Sequence, residues 1–328
     1  MKVGSGSLQF ELVEGWEQLP EGYEHEDVAG VCSDSQGNVY LFCRGEHPVM
    51  VYDRSGKFLA SWGEGEFSYR IHGMHMTAND ELYLVDDSGN SVARYTTDGK
   101  KVFDFEGSRG VPSDSGYDGS NHGSVKYGGP AWNRPTNVSL APNGELYVSD
   151  GYGNSRVHRY DANGKLLQSW GEPGEGAGLF RLPHSVWAHT DGRVFVADRE
   201  NDRIQIFDAN GNYLTEWLDV QRPQDIFIDK DGLVYVGELM WHKGMQSFRR
   251  GIRPDEEPSR MSVYDLDGNL LLRWGDADGS QPGHFVAPHG IWVDNEGSLY
   301  MAEVTQTIGV RPGFYPRGTH TFQKFARV

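Results

Sequence analysis

The chain has 328 residues, among them 43 glycines and 12% aromatic residues. That length allows two domains, but no linker-like change of composition divides the sequence, and its glycine and aromatic content suits many short strands joined by tight turns. A formal charge of −17 excludes the clustered basic surface that nucleic acid or an anionic membrane requires. There is no run of about 20 apolar residues, no apolar core of a secretory signal in MKVGSGSLQFEL, and only two cysteines, Cys32 and Cys43. A cytoplasmic, all-β protein of one domain over residues 1–328 is expected, with its oligomeric state left open.

In chain order, the first element is LQFELVEGW, an apolar strand with no repeat of its own beside it. Six copies of one phrase follow: a Gly-containing turn, a strand ending near Asp, a strand ending in an aromatic and Asp, then Gly, then a strand ending in Trp. They begin at DSQGNVYLFCRGEH, ANDELYLVDDSGN, PNGELYVSDGYGN, TDGRVFVADREND, KDGLVYVGELMWH and NEGSLYMAEVTQT, and the fifth closes on SRMSVYDLDGNLLLRWGD. Strands with alternating apolar residues, joined by DG and NG turns, predict a six-bladed β-propeller. The sixth copy lacks its outer strand. LQFELVEGW resembles the outer-strand phrase KLLQSWGE, so Gln9 to Trp16 is expected to complete the last blade beside Phe322 to Val328 and close the ring. Pro112 to Trp132, Leu239 to Ser259 and Val304 to Thr321 interrupt the repeat and read as long loops, which on a rigid scaffold are common places for function.

The copies align on Gly37, Asp80, Gly144, Gly192, Gly232 and Gly297. Eight residues earlier, in the innermost strand, stand Ala29, His72, Thr136, His184, Gln224 and His289. The histidines fall on blades 2, 4 and 6, and alternate blades of a six-fold ring are related by about 120°, so three imidazoles would converge on the axis. That arrangement suits one zinc ion with three His ligands and an open fourth position, although Fe²⁺, Cu²⁺ and Co²⁺ are also compatible. At the end of the next strand, Arg44 and Arg199 share one repeat position on opposed blades, and Tyr152 lies one residue further along on blade 3. Two guanidiniums and a phenol beside a cation would hold a small anionic substrate and exchange a proton with it. His47, His75 and His242 have no repeat partner, and Arg249, Arg250 and Arg253 could reach over the mouth.

The phrases DGYGNSRVHRYDANGKLLQSWGE and FRLPHSVWAHTDGRVFVADRENDRIQIF resemble the catalytic core of peptidyl-α-hydroxyglycine α-amidating lyase, the second activity of the peptide-amidating enzyme. The resemblance spans most of the chain as an NHL-type propeller and is specific over residues 133 to 207. It implies zinc on His72, His184 and His289, a catalytic tyrosine at Tyr152, and functional arginines at Arg44 and Arg199. The family also carries an axial structural calcium. Here Ala287 and Gly290 replace the Met and Asp around its last His, setting that calcium and one substrate contact apart, and Gly153 replaces a Cys. The resemblance implies a metal-dependent lyase that cleaves a carbinolamide N–C bond to an amide and glyoxylate. The residues alone leave two alternatives: a metal-dependent hydrolase of a lactone, ester or amide, and a non-catalytic scaffold for a protein partner.

Overall fold

The computed structural model describes residues 1–107, 110–275 and 278–328; Asp276, which ends the fifth copy of the repeat, lies outside them. Six antiparallel sheets are arranged as the blades of a propeller, the first five with their strands in chain order from the axis outward and the sixth with N-terminal strands outermost. The inner strands are Asp27–Ser33, Ile71–Met76, Asn137–Leu140, Pro183–Ala188, Pro223–Ile228 and Pro288–Val293. Apolar residues of the strands that follow these, such as Val39–Arg44 and Val194–Asp198, are buried on both faces because each blade is sandwiched between two others. The core is accordingly six wedges rather than one centre, with one apolar cluster in each seam between neighbouring blades.

The hairpins opposite the insertions explain the repeated turn. Asp34 accepts the backbone N–H groups of Gln36 and Asn38 on one carboxylate oxygen, at 3.0 and 2.8 Å, while Gly37 takes φ +85°. In the second blade Asp80 occupies the glycine position at φ 57°, a conformation that Asp tolerates better than most residues.

The ring closes as the N-terminal phrase suggests, with two differences. Leu8–Leu12 pairs with Phe322–Arg327 in the register Phe10 to Arg327 and Leu12 to Phe325. Pairing stops at Leu12, short of Trp16, because Trp16 turns into the seam between the last and first blades, against Tyr52, Tyr300 and Phe322. Lys2–Ser5 adds a fifth strand outside Leu8–Leu12, which its polar and largely exposed KVGS sequence does not announce. Phe10 is fully buried between Tyr235 and Trp274. Removing residues 1–12 is therefore expected to cost at least the ~3–5 kcal/mol of deleting one buried Phe. Chemical denaturation checks this, and an unchanged midpoint would mean that the closing strand is dispensable.

The three insertions all lie at the end of the propeller where the inner strands begin. They carry a short 3-10 turn at His122–Ser124, a small hairpin of Gln246–Ser247 with Gly251–Ile252, and a π-helical turn at Gln306–Val310. His122 of the first meets Phe248 of the second, with ring centroids 6.3 Å apart, and His242 of the second packs at a tilt against Phe314 of the third at 4.1 Å. No helix among the described residues is long and apolar enough to cross a membrane.

Candidate metal centre and its mouth

On the axis, one nitrogen from each of His72, His184 and His289 lies within 4.8 Å of the others, and all three residues are buried. Each imidazole is fixed from behind. His72 Nδ1 lies 2.5 Å from the carbonyl of Thr136, His184 Nδ1 2.7 Å from that of Gln224, and His289 Nδ1 2.7 Å from that of Ala29. Each carbonyl belongs to the same repeat position on the next blade, so the non-histidine half of the ring orients the histidine half. A carbonyl can only accept, so Nδ1 carries the proton and donates, and the Nε2 lone pairs face the axis. Burial holds His72 well below its usual range, followed by the other two imidazoles and by Arg44 and Arg70. Burial and then Arg199 do the same for His184, and burial with Arg44 pushes His289 down to about 3. Three neutral imidazoles remain across the physiological range.

The backbone explains why these side chains reach the axis. Pairing of the inner strand with its neighbour skips from Pro183 to Ser185 and from Pro288 to Gly290, leaving His184 and His289 as bulged residues outside the ladder. In the second blade it skips from Ile71 to Met74 across His72. A bulge re-aims a side chain that a regular strand would send into a seam. In the second to sixth blades the loop entering the inner strand is held by the acid that ends the second strand. Asp86 accepts from Ser68 N, Asp150 from Asn133 N, Asp198 from Arg181 N, Glu238 from Gln221 N and Glu303 from Val286 N, at 2.6–3.0 Å. This is the physical reason for the Asp or Glu that closes those strands.

The remaining predicted residues gather above the histidines. The Tyr152 hydroxyl lies 3.3 Å from His72 Nε2 and 3.2 Å from His184 Nε2, and Arg199 Nη1 donates to it at 3.4 Å. Arg199 is buried, paired through Nε with Glu200 at 2.7 Å. Burial alone would raise the Glu200 carboxyl, yet Arg222 and Arg199 hold it well below the usual carboxylate range. Arg44 is also buried. Its partner is not the adjacent Glu46 but Asp27, at 3.2 Å, and Asp27 accepts in addition from Gln306 N, Thr307 N and the Thr307 hydroxyl of the third insertion.

Three arginines went unrecognised in the repeat. Two residues before the axial position stand Arg70, Arg134 and Arg222, on blades 2, 3 and 5, with Asp27 at the same place on blade 1. Counting that register would have found them. The guanidinium carbons of Arg70, Arg134 and Arg199 lie 5.2, 5.4 and 5.5 Å from the centroid of the Tyr152 ring.

Other candidates sit elsewhere. Arg249, Arg250 and Arg253 do not arch over the mouth: Arg249 donates to the carbonyls of Asn201 and Asp202, and the other two pair with Glu257. His47 pairs with Glu64 and His242 with Glu256. His75 lies further down the axis between Trp187 and Trp292. Below the histidines, Asp225 is the one carboxylate lining the small axial cavity among the described residues. Its oxygens already accept from Asn137, Ser185, Ile226 N and Ile291 N. Calcium takes six to eight oxygen ligands, so these residues do not fit a structural calcium.

Together the blades and the matched repeats make the chain an NHL-repeat β-propeller: the NHL repeat model matches residues 133–160 and 180–207. Streptogramin B lyase shares the fold, with a TM-score of 0.58 at 14% identity over 96% of this chain and 97% of that one. The resemblance to peptidyl-α-hydroxyglycine α-amidating lyases is borne out by sequence similarity to peptidyl-alpha-hydroxyglycine alpha-amidating lyase 1 of Drosophila melanogaster, 28% identical over 76% of this chain and 45% of that protein. Peptidylglycine alpha-amidating monooxygenase of Rattus norvegicus is 26% identical over 89% of this chain, which spans about a third of its length (32%). NHL repeat-containing protein 3 of Homo sapiens is 29% identical over 90% of this chain and 82% of its own length.

Proposed function

We propose that the chain is a metal-dependent lyase that cleaves R–CO–NH–CH(OH)–COO⁻ to R–CO–NH₂ and glyoxylate. The observation that carries this reading is the convergence of three neutral imidazoles on one point, with a phenol within 3.3 Å of two of them and a buried guanidinium donating to that phenol. Zinc fits the donor set. Zinc takes imidazole nitrogen as a ligand, and the three nitrogens offered here all lie within 4.8 Å of one another. His72, His184 and His289 would hold it, and when bound it supplies a Lewis acid that favours ionisation of a hydroxyl at neutral pH.

The chain's own residues account for the remaining steps. Arg44 and Arg199 bind the substrate carboxylate, with Asp27 and Glu200 setting the direction of each guanidinium. Tyr152 takes the hydroxyl proton as base. The oxygen electrons then form the aldehyde C=O, the N–C bond breaks toward nitrogen, and the Tyr152 proton passes to the departing amide. No water is consumed. Incubating metal-loaded protein with an N-acyl-α-hydroxyglycine in ¹⁸O-labelled water tests this. Glyoxylate and the primary amide, with no label in the amide carbonyl, are expected. Label in a product carboxylate would replace the lyase with the hydrolase, and absence of metal and turnover would favour the scaffold.

A further inference from the structure

We infer that the substrate of this mouth is a dianion, whose second acidic group, beyond the carboxylate placed on Arg44 and Arg199, is received by Arg70 and Arg134; its placement of the first carboxylate rests on the lyase reading. The mouth contains two clusters of the same make-up beside Tyr152. On one side Arg199 and Arg222 share Glu200. On the other Arg70 and Arg134 share Asp87, whose side chain is fully buried. Each cluster sets two guanidiniums against one carboxylate, so each keeps an unmatched positive charge. Arg44, with Asp27 to itself, adds none.

In a chain of net charge −17, two such clusters around one ring are not an average surface. The first takes the carboxylate that the proposed reaction supplies. The second has no counterpart in R–CO–NH–CH(OH)–COO⁻ when R is neutral, and it is not sealed. Arg70 keeps 32% side-chain exposure while its Nε and Nη2 are held by Asp87, which leaves Nη1 for a ligand. Arg134 is braced from behind by the Tyr117 hydroxyl at 3.1 Å. All three guanidinium carbons around Tyr152 lie within 5.5 Å of its ring centroid, so the clusters are at most about 11 Å apart. A short dicarboxylate, or an α-hydroxyglycine whose acyl group ends in a carboxylate, spans that distance with both ends reaching a guanidinium fork.

Calorimetry on the metal-loaded full chain, with glutarate and butyrate as probes, tests this. Glutarate is expected to bind about tenfold more tightly than butyrate, and R70M to remove the difference while leaving butyrate binding and metal content unchanged. Equal affinity for the two probes, or a preference that survives both R70M and R134M, overturns the inference. Turnover separates it from the underlying reading. N-glutaryl- and N-butyryl-α-hydroxyglycine consumed with equal KM, alongside equal probe affinities, would overturn the dianion and leave the lyase standing. A glutarate preference lost in R70M, without turnover of either compound, would support the dianionic ligand and remove the lyase.

Discussion

H184A is expected to release the metal, reducing it from about one ion per chain to well below that, and to abolish glyoxylate formation. His184 is one of three imidazoles that converge on the axis, and the other axial positions, Ala29, Thr136 and Gln224, offer no fourth. Even removing a partner behind a metal ligand typically costs 10–100-fold, so removing a ligand should cost more. H72A and H289A should behave alike, because the three are equivalent by blade geometry and each is oriented by a neighbouring carbonyl. Elemental analysis beside the glyoxylate assay makes the measurement, with circular dichroism to show that the blades persist. An H184A protein with full metal content and no turnover would take His184 out of the ligand set.

Y152F should separate binding from chemistry. The ring would keep its place among Arg70, Arg134 and Arg199, and the imidazoles would keep their carbonyl partners, so metal content and KM should barely change. What is lost is an oxygen within 3.3 Å of two ligand nitrogens and in reach of Arg199. A positioned acid–base group contributes about 10²–10⁴-fold, and kcat is expected to fall by that amount. A fall in metal content would give the hydroxyl a structural role, and an unchanged kcat would remove Tyr152 from the proton path.

Much of this site was legible because a repeat turns sequence spacing into angle. His72, His184 and His289 stand at one register on alternate blades, and Arg44, Tyr152 and Arg199 stand at the end of the next strand, so counting was enough to bring them together. Two kinds of feature escaped. Arg70, Arg134 and Arg222 also share a register, but they precede the strand on loops where Arg134 and Arg222 take positive φ, and nothing in the apolar pattern marks such positions. The bulges at His184 and His289 were invisible for a different reason: a ladder that skips a residue depends on pairing with the neighbouring strand, not on the residue itself. Asp27 as the partner of Arg44 likewise depends on the third insertion folding back on the first blade. Trp16 escaped because an apolar residue near a strand end reads the same whether it continues the strand or, as here, fills a seam.

The seam that joins Leu8–Leu12 to Phe322–Arg327 also sets an order of events during synthesis. As the chain leaves the ribosome, blades can stack one after another from their own local hairpins, but Leu8–Leu12 is made about 300 residues before Phe322–Arg327 and has no partner until that strand has emerged. Until then the sixth blade is incomplete and Phe10 is exposed. The interval is a window for edge-to-edge association with other nascent chains, and it closes only when Phe322–Arg327 pairs with Leu8–Leu12.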